Sequence, residues 1–545
     1  MEESLKSAVF WLLGPETLPG ERTGRGHLWA RWIFLRALAV IYFSAFYSFF
    51  FQIKGLIGPS GILPAVDYLQ AVAAQLHSVR YWFAPTLLWF GASDHALMAV
   101  CWVGSIASAL VFFNLWPRAS LAVCFICFLS CIAAAQDFAN YQSDGMLLAA
   151  GFLSLFLAAT GIRPGLGRVQ PPSRASQFLL LWIWFRIYFE SGVVKILSGD
   201  RSWRNFTAMD DYYQNSPLPT WIGWYVQHLP HWFHAATVGL MFAVELVICW
   251  ATFLPRRFRI VCFWIVTPFQ VCIILTGNYA FLNYIVLSLA FLLLDDQFVE
   301  WAIPRRIRAL VDRPEKQETA AEPAAPVTSP VNGAAVAPNT RAVLGIAIAG
   351  FCMLWIFYVT SAKLLWMFSP NANLPKAPVE ALEPFRIANQ YGLFAVMTHT
   401  RYEIEFQGSQ DGSAWTAYPF RYKPQNPAAP PGIYAPYQPR FEWNLWFASL
   451  GSWPQYRFVV WTEERLLSND SDVLQLFAEN PFGSDPPKEV RAVIYQYWFT
   501  SMKAKHETGM WWKRQLLGMY APSLARQPDG KIVVLDNETA NPPPP

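Results

Sequence analysis

Residues 182–230 read WIWFRIYFESGVVKILSGDRSWRNFTAMDDYYQNSPLPTWIGWYVQHLP. The first part of this stretch is apolar and aromatic enough to enter a lipid bilayer, yet it contains Arg186, Glu190 and Lys195. An ionisable side chain near the bilayer centre costs roughly 2.5 to 3.5 kcal/mol and is seldom found there without a partner or a water-filled cavity. The later part is polar and contains prolines that prevent a continuous helix. The stretch therefore predicts a membrane helix with buried charges, followed by a loop over residues 198–230.

The spacing of the three charges indicates their partners. Arg186 and Glu190 are four residues apart, so on a helix they lie on one face and can neutralise each other. Lys195 lies five residues beyond Glu190, about 140° further around the helix, and needs another neighbour. Glu245 is buried in a later apolar stretch and is the natural countercharge for Arg186 or Lys195. The alternative is a helix end whose charged side chains extend to an interface rich in aromatic residues.

The composition is typical of a membrane protein. Of the 545 residues, 54% are hydrophobic, 17% are aromatic and 14% are charged, whereas about 25% of residues are charged in soluble proteins. The net charge of +4 gives no indication of nucleic-acid binding. All eight cysteines lie in apolar runs, so we expect no disulfide framework. No phosphate-binding loop, nucleophile elbow or HExxH motif occurs, and we predict neither a cofactor nor a metal site.

Nine apolar stretches are long enough, or nearly long enough, to span a bilayer. They lie at residues 30–53, 96–116, 119–136, 145–160, 177–197, 232–254, 260–276, 279–294 and 342–368. Arginine-rich connections alternate with connections poorer in cations, which places the arginines and the N-terminus in the cytoplasm. The loop 198–230 and the part of the chain after about residue 369 are then exoplasmic. This means the periplasm in a bacterium or the endoplasmic reticulum lumen in a eukaryote.

Changes in composition divide the chain into five parts. We predict a multi-span membrane domain over residues 1–311, a disordered Pro/Ala-rich cytoplasmic linker over 312–340, a last transmembrane helix over 341–368, an exoplasmic β-rich domain over 377–525 and a flexible tail over 526–545. The fold class is therefore a polytopic α-helical membrane domain with about nine transmembrane helices, followed by a mostly-β, sandwich-like domain.

The β-rich domain is predicted from alternation and turn signals. Strands are expected at 401–407, 418–422, 456–461 and 490–499, with one short helix at 466–479. The Asp411-Gly412 pair predicts a hairpin turn after the first strand. Because this domain and the loop 198–230 are both expected on the exoplasmic side, we predict that the loop docks on it, near residues 436–446.

The predicted binding surface combines charged and aromatic side chains of the loop with two residues outside it. Its members are Arg186, Trp203, Arg204, Asn205, Asp210 and Trp443. The surplus of tryptophan in the terminal domain is compatible with a binding face, and equally with an ordinary β-core.

Five stretches of the sequence resemble a known family. YFESGVVKILSGDRSWRNFTAMDDYYQNSPLPTWIGWYVQHLP in the membrane half and NQYGLFAVMTHTRYEIEFQGSQDGSAW in the terminal half are similar to the lipase maturation factor family. YAPYQPRFEWNLWFASL, NPF at 480–482 and WWKR at 511–514 also resemble it. More distantly, the membrane half is similar to vitamin K-dependent γ-carboxylase and its bacterial relatives, where a YF-x-x-G-x-x-K segment supplies a lysine base. Tyr188, Phe189, Gly192 and Lys195 match that segment.

The first resemblance implies a membrane-anchored, chaperone-like maturation factor with a lipase as client, surrounded by membrane lipid, and without covalent chemistry. The second implies an integral-membrane enzyme in which Lys195 is the base, with Glu190 and Glu245 as further candidate catalytic residues. A purely structural ion pair between Lys195 and Glu245 would give the same sequence pattern.

Overall fold

The computed structural model describes residues 26–139, 141–311 and 340–535. Nearly all of the predicted linker, the last ten residues of the predicted tail and the first 25 residues lie outside this range. Nine of the described helices correspond to the nine apolar stretches of the sequence, and all nine precede the terminal domain. They are α1 (Leu28–Phe50), α2 (Asp94–Phe112), α3 (Pro117–Ala134), α4 (Gln142–Leu157), α5 (Arg174–Leu197), α6 (His231–Phe242), α7 (Arg256–Thr276), α8 (Leu282–Ala290) and α9 (Thr340–Phe368).

Shorter helical segments connect them. Helix α6 continues through a π-helical turn, Ala243–Val247, into a 3₁₀ segment, Ile248–Phe253. The other short α and 3₁₀ segments before the terminal domain are Ile53–Ile57, Ala65–Leu76, His77–Val79, Arg80–Phe83, Leu87–Phe90, Gln136–Ala139, Arg201–Arg204, Ala208–Asn215, Trp221–Gln227, Phe291–Leu293, Asp296–Ala302 and Arg305–Val311. Those after α9 are Ala377–Glu380, Glu383–Phe385, Ser471–Leu474 and Met502–Thr508.

The predicted number of transmembrane helices is not confirmed. In the described parts of the chain, six helices are long and apolar enough to cross a membrane, or seven if a bent pair is one span. That pair, 282–293 and 296–302, bends by 109°. Helix α4 has only 16 residues, and α5 loses hydropathy through its charged side chains. A count of nine requires these helices to cross as well, and it stays a prediction.

The arginine-rich connections meet at one end of the helices. Arg31 donates hydrogen bonds to the carbonyls of Leu166 and Gly167, and Arg118 donates to that of Ala158. At the opposite end, the connections at 136–141 and 277–278 contact the terminal domain. The alternation seen in the sequence therefore corresponds to two ends of the helical bundle.

The terminal domain is built on one antiparallel sheet. Its strands are β1 (Arg401–Ser409), β2 (Thr416–Ala417), β3 (Glu489–Phe499), β4 (Trp512–Met519), β5 (Leu524–Arg526) and β6 (Ile532–Val534). The order is β2-β1-β3-β5-β6, and β4 pairs with β3 beside β5. Two helices, α10 (Arg440–Ser449) and α11 (Phe458–Leu467), pack on β1 and β3. The predicted second sheet of a sandwich is not confirmed, because within residues 340–535 helices contact the sheet instead.

Several local predictions are correct and others are wrong. The strands at 401–407 and 490–499 are confirmed as the paired β1 and β3, and Gly412 has the positive φ (+73°) of a turn residue. The strand at 456–461 is wrong, because the segment begins α11 and buries residues at helical spacing. Residues 418–422 form no strand, and the helix expected at 466–479 is interrupted where Asp470 caps Ser471–Leu474. Strand β6 lies inside the predicted flexible tail.

Candidate functional site

Helix α5 brings Arg186 and Glu190 together, as their spacing predicts. The Nε of Arg186 lies 2.6 Å from Oε1 of Glu190, and both side chains are fully buried. In addition, Arg186 Nη2 donates to the carbonyl of Asn389 at 2.6 Å, and the Tyr391 N–H donates to Glu190 Oε2 at 2.6 Å. The pair therefore holds the segment that leads into the terminal domain against the membrane helix.

Lys195, near the end of α5, pairs with the neighbouring helix. Lys195 Nζ lies 2.9 Å from both carboxylate oxygens of Glu245 and 3.3 Å from the Ser191 carbonyl. Of the two partners that the sequence allowed for Glu245, Lys195 is the one observed. Both residues are buried, at 1% and 8% exposure. The Trp203 ring lies 5.3 Å from Nζ and covers the ammonium group.

Two backbone features allow this contact. Glu245 lies in the π-helical turn of α6, and single π turns are frequent at functional sites. Gly192 faces that turn across the helix interface, where a Cβ atom would lie 2.7 Å from Leu246 Cδ2 and 3.0 Å from Glu245 Cβ. A glycine is therefore required for α5 and the π-helical turn to approach closely enough for the ion pair.

The loop 198–230 docks on the start of the terminal domain. The Trp203 indole donates to the Phe394 carbonyl at 3.1 Å, and the Asn215 amide donates to the Thr398 carbonyl at 2.9 Å. Arg401 on β1 donates to the carbonyls of Gln214, Ser216 and Pro217. These hydrogen bonds agree with the predicted docking, but they connect the loop to residues 394–401 and not to 436–446.

Asp200 fixes the beginning of this loop. Its carboxylate accepts hydrogen bonds from the backbone N–H groups of Ser202 and Met397. Partial burial alone would raise the pKa of Asp200, but these hydrogen bonds outweigh burial and hold the pKa below its usual value. The loop is thus anchored by a charged acceptor at its first turn.

The remaining predicted binding residues do not form one surface with Trp203. Arg204 and Asn205 are exposed. Asp210 lies 2.9 Å from His231 Nδ1 on the outside of the loop. Trp443 is buried, and its ring packs against those of Tyr141 and Tyr279.

Two cross-domain contacts had no counterpart in the sequence predictions. Asp144, at the start of α4, forms a bidentate, fully buried ion pair with Arg440 of α10, at 2.7 and 2.8 Å. Asn278 accepts the N–H groups of Tyr434 and Ala435 and donates to Leu218 and Gly432. For the first contact, the available sequence signal was Asp144 itself, a lone aspartate at the start of an apolar run, because such a charge needs a partner.

A buried carboxyl group also organises the terminal domain. Glu442 accepts the backbone N–H groups of Arg421, Tyr422 and Lys423. Burial raises its pKa to about 7, although these hydrogen bonds favour the charged form. Within the described residues, no cluster of three or more His, Cys, Asp or Glu could hold a metal ion.

These contacts define an integral membrane protein whose terminal sheet domain is attached to its helices by buried ion pairs. The family model described as the lipase maturation factor transmembrane domain matches residues 29–301. The model of the lipase maturation factor C-terminal domain matches residues 387–522. The chain belongs to the lipase maturation factor family.

Individual relatives match over most of their length. Lipase maturation factor 1 of Bos taurus is 32% identical over 94% of this chain and 94% of its own. Lipase maturation factor 2 of Gallus gallus is 30% identical over 91% of this chain and 81% of its own. Human lipase maturation factor 1 is 29% identical over 92% and 88%. No solved structure matches.

Proposed function

We propose that this protein is a lipase maturation factor that assists the folding of exported lipases without covalent chemistry. The observation that carries the proposal is the match of both halves of the chain to the family's two domain models, at 29–301 and 387–522. Lipase maturation factors of Bos taurus, Gallus gallus and Homo sapiens align with 91% or more of this chain, which includes both matched regions.

The geometry supports a role that depends on a rigid surface, the platform, which the loop 198–230 and the terminal domain form together. The loop 198–230 and the terminal domain are joined through Arg401. The terminal domain is attached to the helices through the hydrogen bond from Arg186 to Asn389 and through the Asp144–Arg440 pair. A client bound to this platform would meet a surface held at a constant distance from the membrane. Such preorganisation lowers the ordering cost of binding.

The proposal includes an orientation, with the N-terminus cytoplasmic and the platform exoplasmic. The separation of the arginine-rich end from the platform end supports it. Single cysteines replacing the exposed residues Arg257 and Ser413, in a cysteine-depleted background, should react with an impermeant maleimide from opposite sides. Labelling of both from one side would contradict the orientation.

A lipase secretion assay tests the function. Cells lacking their own lipase maturation factors are given a secreted lipase together with this full-length protein, and lipase activity is measured in the medium. We expect activity to be restored, while secretion of an unrelated control protein is unchanged. An increase in the secretion of both the lipase and the control protein, or of neither, would contradict a lipase-specific role.

The carboxylase-like alternative gains no support from the comparisons, which match lipase maturation factors. The contacts of Lys195 also favour the structural role, because its ammonium group lies between both oxygens of one carboxylate. We therefore infer that the Lys195–Glu245 pair stabilises the helix interface.

A further inference from the structure

A large cavity lies beside the Lys195–Glu245 pair. It has a volume of about 640 Å³ and is enclosed by α5 to α8, the loop 198–230 and residues 393–394. This volume lies within the range of about 300 to 1,000 Å³ that is usual for small-molecule sites. Its walls are mostly aliphatic and aromatic, and include Ile187, Met209, Ile265, Phe269 and Phe394. Such walls suit a hydrocarbon chain better than a polar ligand.

The polar groups of the cavity carry no net charge. Lys195 and Glu245 neutralise each other in its wall. A second set forms a hydrogen-bonded chain, in which the Asn283 amide donates to Gln270 Oε1 at 2.8 Å and the Gln270 amide donates to the Tyr188 hydroxyl at 2.7 Å. No residue in the described part of the chain accepts the proton of that hydroxyl. Tyr188 therefore has a hydrogen bond left to donate to a ligand.

The cavity opens sideways between α6 and α7. Leu240 of α6 and Cys272 of α7 both line the cavity and are both exposed on the outer surface. Neighbouring outward side chains on these helices, such as Val261 and Trp264, are apolar and exposed, as expected of surfaces that face lipid. A ligand can therefore enter from the bilayer.

We propose that this cavity binds a single-chain lipid with an uncharged head group that carries a hydrogen-bond-accepting oxygen. The chain occupies the apolar walls, and the oxygen accepts the free hydrogen bond of Tyr188. A charged head group is excluded because the ion pair is already neutral, and an extra charge would be buried without a partner. A lipid site in the helical bundle goes beyond the proposed function.

Photocrosslinking on the full-length protein in nanodiscs tests the site. The probe is hexadecanol with a diazirine in its chain, and crosslinked residues are mapped by mass spectrometry. We expect labels on the cavity-lining part of α7 around Phe269, and at least tenfold better competition by hexadecanol than by hexadecanoate. Hexadecane, which has no oxygen, should also compete poorly.

Variants separate the cavity from the outer surface. Ala236→Trp fills the cavity and should lower labelling at least fivefold, whereas Val271→Trp, at an exposed position of α7 that does not line the cavity, should leave it unchanged. Tyr188→Phe keeps the ring and should remove the preference of the site for hexadecanol over hexadecane. If Ala236→Trp does not fold, the proposal is still tested on the natural protein, by the positions of the crosslinked residues and by the relative competition of hexadecanol, hexadecanoate and hexadecane. Labels confined to outward residues, or equal competition by hexadecanoate, would overturn the proposal.

Discussion

Removing one member of the Lys195–Glu245 pair should destabilise the membrane domain strongly. In the natural protein, Lys195 Nζ lies 2.9 Å from both oxygens of the Glu245 carboxylate. In Lys195→Ala this carboxylate stays buried but loses its countercharge. Breaking a buried ion pair in this way costs about 3 to 5 kcal/mol, because the remaining charge has no partner. The membrane domain spans residues 29–301. With an unfolding entropy of about 2.1 cal/mol/K per residue, each kcal/mol lowers its melting temperature by about 1.7 °C, so the fall should be roughly 5 to 9 °C. Lys195→Arg keeps a cation beside Glu245, so its melting temperature should fall much less.

A double-mutant cycle separates the pair from the individual side chains. The variants are Lys195→Met, Glu245→Gln and the combination, each compared with the natural protein by thermal melting in detergent. Replacing both members removes both buried charges, so the combined loss should be smaller than the sum of the two single losses. We expect a coupling of about 2 kcal/mol or more, within the range measured for contacting residues.

Two results would refute this reasoning. Single variants that melt within a degree of the natural protein would mean that the pair is not buried as described. A Lys195→Arg variant that is stable but fails in lipase secretion would mean that Lys195 has a role beyond its charge, since a guanidinium cannot act as a base near neutral pH.

Three further changes test other parts of the structure. Arg440→Met should cost about 3 to 5 kcal/mol, because its fully buried aspartate partner loses its countercharge, whereas the exposed Arg457→Met should be nearly neutral in the same melting assay. Gly192→Ala should cost about 1 to 3 kcal/mol, because its Cβ would meet the π-helical turn; the control is Gly345→Ala on α9, which has open space and should not destabilise. Burial raises the pKa of Glu442 to about 7, so between about pH 4.5 and 7 the folded protein binds more protons than the unfolded chain. Stability should therefore fall as the pH rises through 7, and Glu442→Gln should flatten this fall in melting temperature between pH 5 and 8. An unchanged pH profile in that variant would contradict the assignment.

The ion-pair partners of Arg186 and Lys195 on α5 could be predicted from the sequence, because a buried charge has few possible partners. The i,i+4 spacing of Arg186 and Glu190 makes their pairing a local property. For Lys195, the apolar stretches around it offered few carboxylates, and Glu245 was one of them. Strands β1 and β3 were also predictable, because their alternation and flanking turns are local signals.

Other features depend on contacts between distant parts of the chain. Asp144 and Arg440 are 296 positions apart, so nothing local identifies them as partners. The segment 456–461 has an apolar run that is compatible with a strand or a helix, and packing against β3 selects the helix. The docking site of the loop was misplaced for the same reason, because the hydrogen bonds of Arg401 go to main-chain carbonyls that no sequence pattern marks.

The balance of charge around α5 explains how so polar a helix can lie among membrane helices. Arg186, Glu190, Lys195 and Glu245 would together cost roughly 10 to 14 kcal/mol if each entered the bilayer without a partner. All four are buried, but two cations meet two anions, and main-chain groups of residues 389 and 391 add one hydrogen bond to each member of the first pair. These residues belong to the start of the terminal domain. The membrane helix and the terminal domain therefore depend on each other, because the Arg186–Glu190 pair gains these two hydrogen bonds only when the terminal domain is docked.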